Sequence, residues 1–423
     1  MQSERASIQS DKNNPNVRKQ RLLGNFLLLG CSVLVGLFIG ELLLRHYYPI
    51  GEAILQLDQR YLHRFRPNSR QIYRFSVANG GKKVLTVINA EGRRGDLVSR
   101  RRPHVLVYGD SYISSSFTQV SDTFVSQLEQ RLKGDHSLGP QVVNCGVSGY
   151  GPDQESLVLE DEIDTLKPQL VIVSIYSGND FGDLIRDKIY KLDDQLQLED
   201  NHYTIDPSLV SAFAASEQLP RLYSVRLLQN VWERTRAHFA QTQAHRDSQT
   251  GKDYMDVWLR ESRVEYEDYI INGDNSVHNL LEDHYDADVS LDPNSESARY
   301  KRLLMDRVIE KMQKVTAARS IPMILVIIPA PFDIVDNYAV TVDTHKYPEY
   351  RRSGLTDIIE QIALQHRLPY VNLFTPFREH GAGSLYYVED NDHWNPEGQK
   401  LAAGLVADYI MQRHVLDAST GAR

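Results

Sequence analysis

The hydrophobic positions of this chain form one long run near the start and a series of short runs after it. The long run covers residues 22–44 and contains a single charge, Glu41, near its end. A helix over this range extends about 34 Å at 1.5 Å per residue, enough to cross the hydrocarbon core of a bilayer. The run continues into "LLLRHYY" and lacks the small-residue cleavage site of a signal peptide. The pattern therefore predicts a retained transmembrane helix over 22–44.

Basic residues are concentrated before this run. Those preceding it are Arg5, Lys12, Arg18, Lys19 and Arg21, whereas only Arg45 and Arg60 follow closely. Cytoplasmic flanks carry the excess of Lys and Arg in membrane proteins. Residues 1–21 are therefore expected to be a cytoplasmic tail, and the rest of the chain is expected to be extracytoplasmic, either periplasmic or at the cell surface.

The short hydrophobic runs alternate with helical patterns. Strands are predicted at 104–108, 141–144, 170–176, 323–328 and 370–373, and helices at 122–132, 153–166 and 300–318. Nearly continuous apolar strands separated by helices are typical of a parallel sheet covered on both faces. A last helix is expected to begin at Asn395, a favourable N-cap, with Pro396 in its first turn.

The same pattern divides the chain into segments. Residues 46–102 form a lead-in of strand and turns, and the α/β domain occupies 103–184 and 294–415, followed by a disordered tail at 416–423. Between 185 and 293 the strand pattern stops, and a segment of this length predicts a helical insertion or cap over the sheet. Within it, residues 265–292 hold nine acidic side chains and no Lys or Arg. This run is interpreted as a solvated face because it lacks the ordered ligand spacing of a cation site.

Composition narrows the possible partners. The formal net charge of −9 provides no basic footprint for nucleic acid. Of the two cysteines, Cys31 lies inside the apolar run and Cys145 is interpreted as a small buried residue, since neither has metal-ligand or Cys-x-x-Cys spacing. No metal site is predicted.

Four short motifs follow predicted strands or lie near the end of the chain. They are "GDSY" at 109–112, "NCGVSGYG" at 144–151, "SGND" at 177–180 and "EDNDHWNPEG" at 389–398. In open α/β sheets, residues after the strands meet at one edge, where ligands bind. Acyl transfer requires a hydroxyl, a base, a group that orients the base, and donors for an oxyanion, and these motifs supply all four.

Each candidate residue has a specific expected role. Ser111 is the candidate nucleophile and His393 the candidate general base. The oxyanion hole is expected to combine the backbone N–H groups of Ser111 and Gly149 with the side-chain amide of Asn179. Two acids compete to orient His393: Asp390, three residues earlier, is preferred, and Asp392 is the alternative.

These motifs resemble the four blocks of the SGNH (GDSL-type) hydrolase superfamily, which carry Ser, Gly, Asn and His in this chain order. The resemblance spans about 104–413 and leaves out the anchor and the insertion. It implies a three-layer α/β/α fold with a five-stranded, parallel, flavodoxin-like sheet, and esterase, deacetylase or acyltransferase chemistry without a cofactor. Among the branches, the chain looks most like membrane-anchored bacterial members that face outward.

The predicted function is ester hydrolysis through an acyl-enzyme, on an ester that could carry an O-acetyl group, at the outer face of the membrane. One alternative is an O-acyltransferase that modifies a cell-surface polysaccharide with the same residues. The other is a catalytically silent protein that binds glycans or assists assembly. The expected partners are an ester or acylated-glycan substrate and the membrane, and the sequence leaves protein partners open.

Overall fold

The computed structural model describes most of the chain, and all structural statements below concern the described residues. These are 15–47, 53–75, 79–133, 139–217, 223–225, 253–281, 283–336, 338, 340–387 and 392–416. They belong to two compact units, one comprising 1–50 with 218–242 and the other 51–217 with 243–423.

The first unit is dominated by the helix Pro15–Tyr47. Its part Leu22–His46 is long and apolar enough to cross a membrane, as judged by length and composition. Near its end, the Glu41 carboxylate accepts hydrogen bonds from the backbone N–H groups of Tyr223 (2.7 Å) and Ser224 (3.0 Å). The length and composition of the helix are consistent with a signal anchor or a signal peptide.

The second unit contains thirteen strands among the described residues. In chain order they are β1 Leu55–Asp58, β2 Leu62–Phe65, β3 Arg70–Arg74, β4 Lys83–Val87, β5 His104–Tyr108, β6 Gln141–Asn144, β7 Leu170–Tyr176, β8 Tyr190–Leu192, β9 Leu198–Asp200, β10 Thr204–Ile205, β11 Ser276–Val277, β12 Met323–Ile328 and β13 Tyr370–Asn372.

Five of these strands form the central sheet, and all its pairings are parallel. The spatial order is β13-β12-β7-β5-β6. Numbered along the chain, this is the 2-1-3-4-5 order of flavodoxin-like sheets. Every residue of β7 and β12 is buried, as near-continuous apolar strands require. The predicted fold and the predicted strands of the sheet are confirmed.

Helices cover the sheet in two layers. The helices of the second unit with ten or more residues are Phe124–Lys133, Pro152–Leu166, Pro207–Glu217, Asp253–Tyr266, Glu296–Ala317, Gly354–Gln365 and Pro396–Gln412, and the shorter ones are Ser111–Ser114, Asp180–Arg186, Ala287–Leu291, Pro331–Ile334 and Phe374–Glu379. Right-handed crossovers place the helix after β5 on one face and those after β6, β7 and β12 on the other. Accordingly, Pro152–Leu166 packs on Glu296–Ala317, and Phe124–Lys133 packs on Pro396–Gln412.

The last helix begins as the sequence predicts. The Asn395 side chain accepts hydrogen bonds from the backbone N–H groups of Glu397 (2.9 Å) and Gly398 (3.1 Å), and Pro396 occupies the first turn. This cap fixes the point at which the chain leaves the loop that carries His393.

The lead-in forms two antiparallel hairpins, β1–β2 and β3–β4. The insertion differs from the helical expectation, because it also contains the antiparallel pair β8–β9 and the parallel pair β10–β11. These strands are two or three residues long, too short to produce a periodic signal in the sequence.

The interpretation of 265–292 as a solvated face is wrong for part of that run. Asp286 and Asp288 are completely buried, and Lys301 Nζ lies 3.7 Å from Asp286 and 3.0 Å from Asp288. The lysine belongs to the helix Glu296–Ala317, outside the acidic run. Its positive charge compensates the buried carboxylates, a contact that no local pattern reveals.

Candidate active site

The candidate nucleophile lies in a tight turn after β5. A side chain on Gly109 would collide with Ser174 Oγ of β7 and with Ile113, so the turn packs closely on the neighbouring strand. Asp110 Oδ1 accepts a hydrogen bond from the Tyr112 backbone N–H at 2.8 Å and begins the short helix Ser111–Ser114. Burial raises the pKa of Asp110 to about 6. These contacts place Ser111 at the carboxyl end of the sheet.

Ser111 and His393 are brought together from positions 282 residues apart. Ser111 Oγ lies 2.6 Å from His393 Nε2, the distance expected when a hydroxyl donates to an imidazole nitrogen. The histidine loop is held by a hydrogen bond from the Tyr387 backbone N–H to the His393 carbonyl (3.0 Å) and by the bridge between Tyr386 and Trp394. Trp394 is fully buried beneath this loop.

Two aromatic rings fix the plane of the imidazole. The Tyr112 ring stacks on His393 with centroids 4.8 Å apart and planes 25° apart, and the Phe117 ring lies 4.9 Å away. The Tyr112 hydroxyl also donates to the Asp392 carbonyl at 2.7 Å. Sequence reasoning assigned no role to either ring, although Tyr112 directly follows the candidate nucleophile.

The acid beside His393 is Asp392 among the described residues. Asp392 Oδ1 lies 2.9 Å from His393 Nδ1. Asp390, which the sequence analysis preferred, lies outside the described residues. Burial opposes the charged imidazolium, but the carboxylates of Asp392, Asp110 and Asp283 outweigh it and raise the pKa of His393 above its ordinary value.

Gly149 of the second motif lies in a crowded turn that requires a positive φ. Gly149 has φ +79°, and a Cβ there would lie 2.9 Å from the Leu280 carbonyl oxygen. The carbonyl of Ser148 accepts a hydrogen bond from His63 Nε2 at 2.9 Å. Because the Gly149 N–H is the predicted oxyanion donor, we call residues 148–149 the oxyanion peptide. Because a trans peptide directs its C=O and N–H to opposite sides, this bond fixes the direction of the Gly149 N–H.

His63 comes from β2 of the lead-in and is completely buried. Burial lowers its pKa to about 4, so the ring is neutral at pH 7 and its Nε2 carries the proton that the Ser148 carbonyl accepts. Its ring also packs edge-on against Tyr150 at 5.2 Å. The sequence offers no signal for this contact, since an isolated histidine in a short strand matches no motif.

Asn179 follows β7 and is buried. Its neighbour Asp180 accepts a hydrogen bond from the Tyr176 backbone N–H at 2.7 Å, which ties the loop to the end of the strand. The Asn179 side-chain amide donates to the Asp283 carboxylate of the insertion. That contact uses one of the two N–H bonds of the amide and fixes which end of the side chain carries the nitrogen.

Arg94 holds the chain that follows the candidate nucleophile. Its side chain is buried, and its guanidinium donates to the carbonyl of Ser114 at 3.0 Å and to those of Ser115 and Thr118. Burial lowers its pKa to about 10, and the group remains charged at pH 7. Arg94 thereby fixes the loop that carries Phe117, a role that the sequence analysis did not foresee.

Among the described residues, no group of three or more His, Cys, Asp or Glu side chains is arranged to hold a metal ion. Cys145 is buried as predicted, and burial raises the pKa of its thiol to about 12. Such a thiol is protonated at neutral pH and is a poor nucleophile.

Several solved structures share part of this fold at low identity. A catalytic mutant of an acetylxylan esterase from Geobacillus stearothermophilus is 11% identical, with 74% of this chain and 96% of that chain covered and a TM-score of 0.35. A lipase/acylhydrolase from Enterococcus faecalis is 13% identical, with the same coverage and a TM-score of 0.34. An acetyl xylan esterase named AlAXEase is 12% identical over 73% of this chain and 98% of its own, with a TM-score of 0.35.

A comparison with proteins of curated function finds no match to the sequence. The model of the GDSL-like Lipase/Acylhydrolase family matches residues 107–401. This range begins within β5 and includes Ser111, Gly149, Asn179 and His393. Because the match covers well over half of the chain, the protein belongs to the GDSL-like lipase/acylhydrolase family and is an esterase-type hydrolase.

Proposed function

We propose that this protein is a serine ester hydrolase that works through an acyl-enzyme, with Ser111 as nucleophile and His393 as general base. The observation that carries the proposal is the 2.6 Å contact between Ser111 Oγ and His393 Nε2. A hydroxyl and a base at this distance, with an acid on the other ring nitrogen, match the requirements of acyl transfer.

In the first half of the reaction, Ser111 Oγ attacks the ester carbonyl carbon while its proton passes to His393 Nε2. The carbonyl oxygen becomes an oxyanion that accepts hydrogen bonds from the N–H groups of Ser111, Gly149 and the Asn179 amide. The C–O bond of the ester then breaks, and the alcohol leaves with the proton that His393 returns. The acyl group remains bonded to Ser111.

In the second half, a water molecule takes the place of the alcohol. His393 removes a proton from the water, the hydroxyl oxygen attacks the acyl carbon, and the same donors bind the new oxyanion. The bond to Ser111 Oγ breaks, Ser111 recovers its proton from His393, and a carboxylic acid is released.

We assign the orientation of His393 to Asp392, on the basis of the 2.9 Å contact with Nδ1. A carboxylate there keeps the neutral ring in the tautomer whose Nε2 accepts the Ser111 proton, and it stabilises the imidazolium that forms. Asp390 is the competing acid, and separate substitution of the two residues distinguishes them.

The proposed location is the outer face of a membrane, with residues 1–21 in the cytoplasm and the hydrolase domain outside. The support comes from the apolar helix Leu22–His46 and the excess of basic residues before it. Protease added to intact cells should digest the hydrolase domain, and protection of that domain until the membrane is opened would contradict this topology.

The test of the reaction uses the full chain in nanodiscs. p-Nitrophenyl acetate should be hydrolysed, and a fluorophosphonate probe should label the protein once, at Ser111. Ser111→Ala should abolish both signals, whereas Ser121→Ala, at an exposed serine on the same segment, should leave them intact. Turnover that survives Ser111→Ala would refute the proposal. An acyl-enzyme that persists until an oligosaccharide is added would replace hydrolysis with acyl transfer.

A further inference from the structure

An apolar cavity of about 690 Å³ lies beside the candidate active site. Most of its lining comes from two segments, the lead-in and the insertion. The lead-in supplies Ile54, Phe65 and Tyr73, and the insertion supplies Phe213, Leu280 and Leu281. We call this space the apolar cavity. Pockets that bind small molecules commonly have volumes of about 300–1,000 Å³ and mostly apolar walls.

One side of the apolar cavity is formed by residues that adjoin the candidate active site. Its lining includes Phe117, whose ring lies 4.9 Å from that of His393, and Ser148, the first residue of the oxyanion peptide. Leu281 also approaches this peptide, since its Cδ2 lies 2.9 Å from where a Cβ on Gly149 would be. A group that fills the cavity therefore lies against the same peptide whose N–H is proposed to bind the oxyanion.

A second cavity, of about 440 Å³, has a different chemical character. Its lining includes Arg260, Glu261, Glu265, Asp283 and His284. It connects to the site through Asp283, whose carboxylate accepts a hydrogen bond from the Asn179 amide. We call it the polar cavity. Two of the proposed oxyanion donors therefore have different surroundings. Those of the Gly149 N–H are apolar, and those of the Asn179 amide are charged.

We propose that the apolar cavity binds the acyl chain of the ester substrate, and that this chain is several methylenes longer than acetyl. The inference rests on the proposed function, because it needs an acyl group on Ser111. An acetyl group has three heavy atoms. If each atom is given about 30 Å³, the volume that one water molecule occupies in the liquid, the group fills only about 90 Å³. The apolar cavity accommodates a much larger group.

The chemistry of the two cavities fixes which part of the ester each one takes. An alkyl chain loses contact with water favourably against Ile54, Phe65 and Leu280, but it cannot satisfy the charged groups of the polar cavity. An alcohol that carries hydroxyl groups can hydrogen-bond to Asp283 and Glu265 in the polar cavity. The acyl chain therefore occupies the apolar cavity, and a polar alcohol occupies the other.

The test measures kcat/KM for p-nitrophenyl acetate, butanoate, hexanoate and octanoate with the full chain in nanodiscs. The leaving group is constant, so the series reports only on the acyl side. Burial of each methylene, worth about 0.8 kcal/mol, corresponds to an increase of about fourfold. We expect a rise of up to about fifteenfold from acetate to butanoate and a further rise toward octanoate. A flat or falling series in which acetate is hydrolysed in a Ser111-dependent manner would overturn the inference and leave the proposed function intact.

A second series keeps the acetyl group and lengthens the alcohol, from ethyl acetate to octyl acetate. A preference for long chains in this series alone would assign the apolar cavity to the alcohol and overturn the inference. Absence of Ser111-dependent hydrolysis of every ester would overturn the proposed function, and the inference with it.

A pair of variants on one helix ties the chain-length preference to the apolar cavity. Ala212 lines it, and Ala214 lies exposed on the same helix without lining it. Ala212→Trp should fill part of the cavity and lower the ratio of octanoate to acetate kcat/KM by tenfold or more. Ala214→Trp should leave this ratio at the wild-type value. An unchanged ratio in Ala212→Trp, with a folded protein shown by an unaltered thermal transition, would contradict the assignment.

Discussion

Replacing Gly149 with alanine should show whether the position of the oxyanion peptide affects catalysis beyond the general effect of backbone strain on stability. Gly149 has φ +79°, a region that costs an L-residue about 1–2 kcal/mol. In addition, the new Cβ would lie 2.9 Å from the Leu280 carbonyl oxygen, which belongs to the backbone and cannot rotate away. Overpacking of this kind typically costs about 1–3 kcal/mol. The free energy of unfolding should therefore fall by about 2–5 kcal/mol.

The larger effect is expected on catalysis. To relieve the contact, either residues 148–149 or the loop at Leu280 must shift by a few tenths of an ångström, which moves the Gly149 N–H away from the oxyanion. Loss of one oxyanion donor typically lowers kcat by about 10²–10³. We expect kcat for p-nitrophenyl acetate to fall by about a hundredfold, with KM changed much less, because the donor acts mainly in the transition state.

The chain provides a matched control in Gly273. It has a similar φ of +71°, but a Cβ there would meet nothing within 4 Å. In Gly273→Ala, the free energy of unfolding should fall only by the cost of backbone strain, about 1–2 kcal/mol. This variant should keep the wild-type kcat. Both variants are assayed well below their thermal midpoints, so that the folded fraction does not limit the rate. Wild-type kcat in Gly149→Ala would refute the role of this N–H, and an equal loss in Gly273→Ala would refute the geometric explanation.

The remaining predictions concern the anchor of the oxyanion peptide, the orientation of His393 and a buried acid. His63→Leu should lower kcat by about ten- to a hundredfold with little change in KM, because the Ser148 carbonyl loses its hydrogen-bond donor. His63→Gln, whose side-chain amide can donate to the same carbonyl, should recover part of the loss. Equal effects of both variants would contradict a positioning role. Asp392→Asn should lower kcat by on the order of a thousandfold or more and move the acid limb of the kcat/KM profile to lower pH, since this carboxylate raises the pKa of His393. The same result from Asp390→Asn instead would reverse the assignment. Glu155→Gln should stabilise the protein at pH 8 but not at pH 4, as measured by urea denaturation. Burial raises the pKa of Glu155 well above its ordinary value. The wild-type folded state therefore loses stability as the pH rises above the pKa of this group in the unfolded state. Glu160→Gln, at an exposed position on the same helix, is the control for the substitution itself.

The strands of the central sheet could be predicted because their apolar composition follows directly from their own burial. β7 and β12 are buried on both faces, and a strand of this kind must be apolar at every position whatever its partners are. The candidate site followed from the same property. Once the strands were placed, their carboxyl ends had to meet, and Ser111, Gly149 and Asn179 each follow one of them closely.

Residues outside this pattern were not predictable, since their roles depend on partners distant in sequence. Arg94 looks like part of a charged turn, yet it is buried because three carbonyls shortly after Ser111 accept its hydrogen bonds. Asp286 and Asp288 look like part of a solvated acidic run, yet both are buried beside Lys301, whose positive charge offsets part of theirs. Burial of a charge requires a compensating group, and a single sequence does not show which distant group provides it.

The segments outside the sheet also control the two ends of the proposed oxyanion hole. His63, from the lead-in, holds the Ser148 carbonyl, and Asp283, from the insertion, accepts a hydrogen bond from the Asn179 amide. The same two segments supply most of the lining named for the two cavities. A substitution of Asp283, which both accepts a hydrogen bond from the Asn179 amide and lines the polar cavity, can therefore alter both the alignment of a donor and the shape of a pocket. Activity and specificity should change together in such variants, whereas changes at Ser111 or His393 should remove activity toward all esters alike.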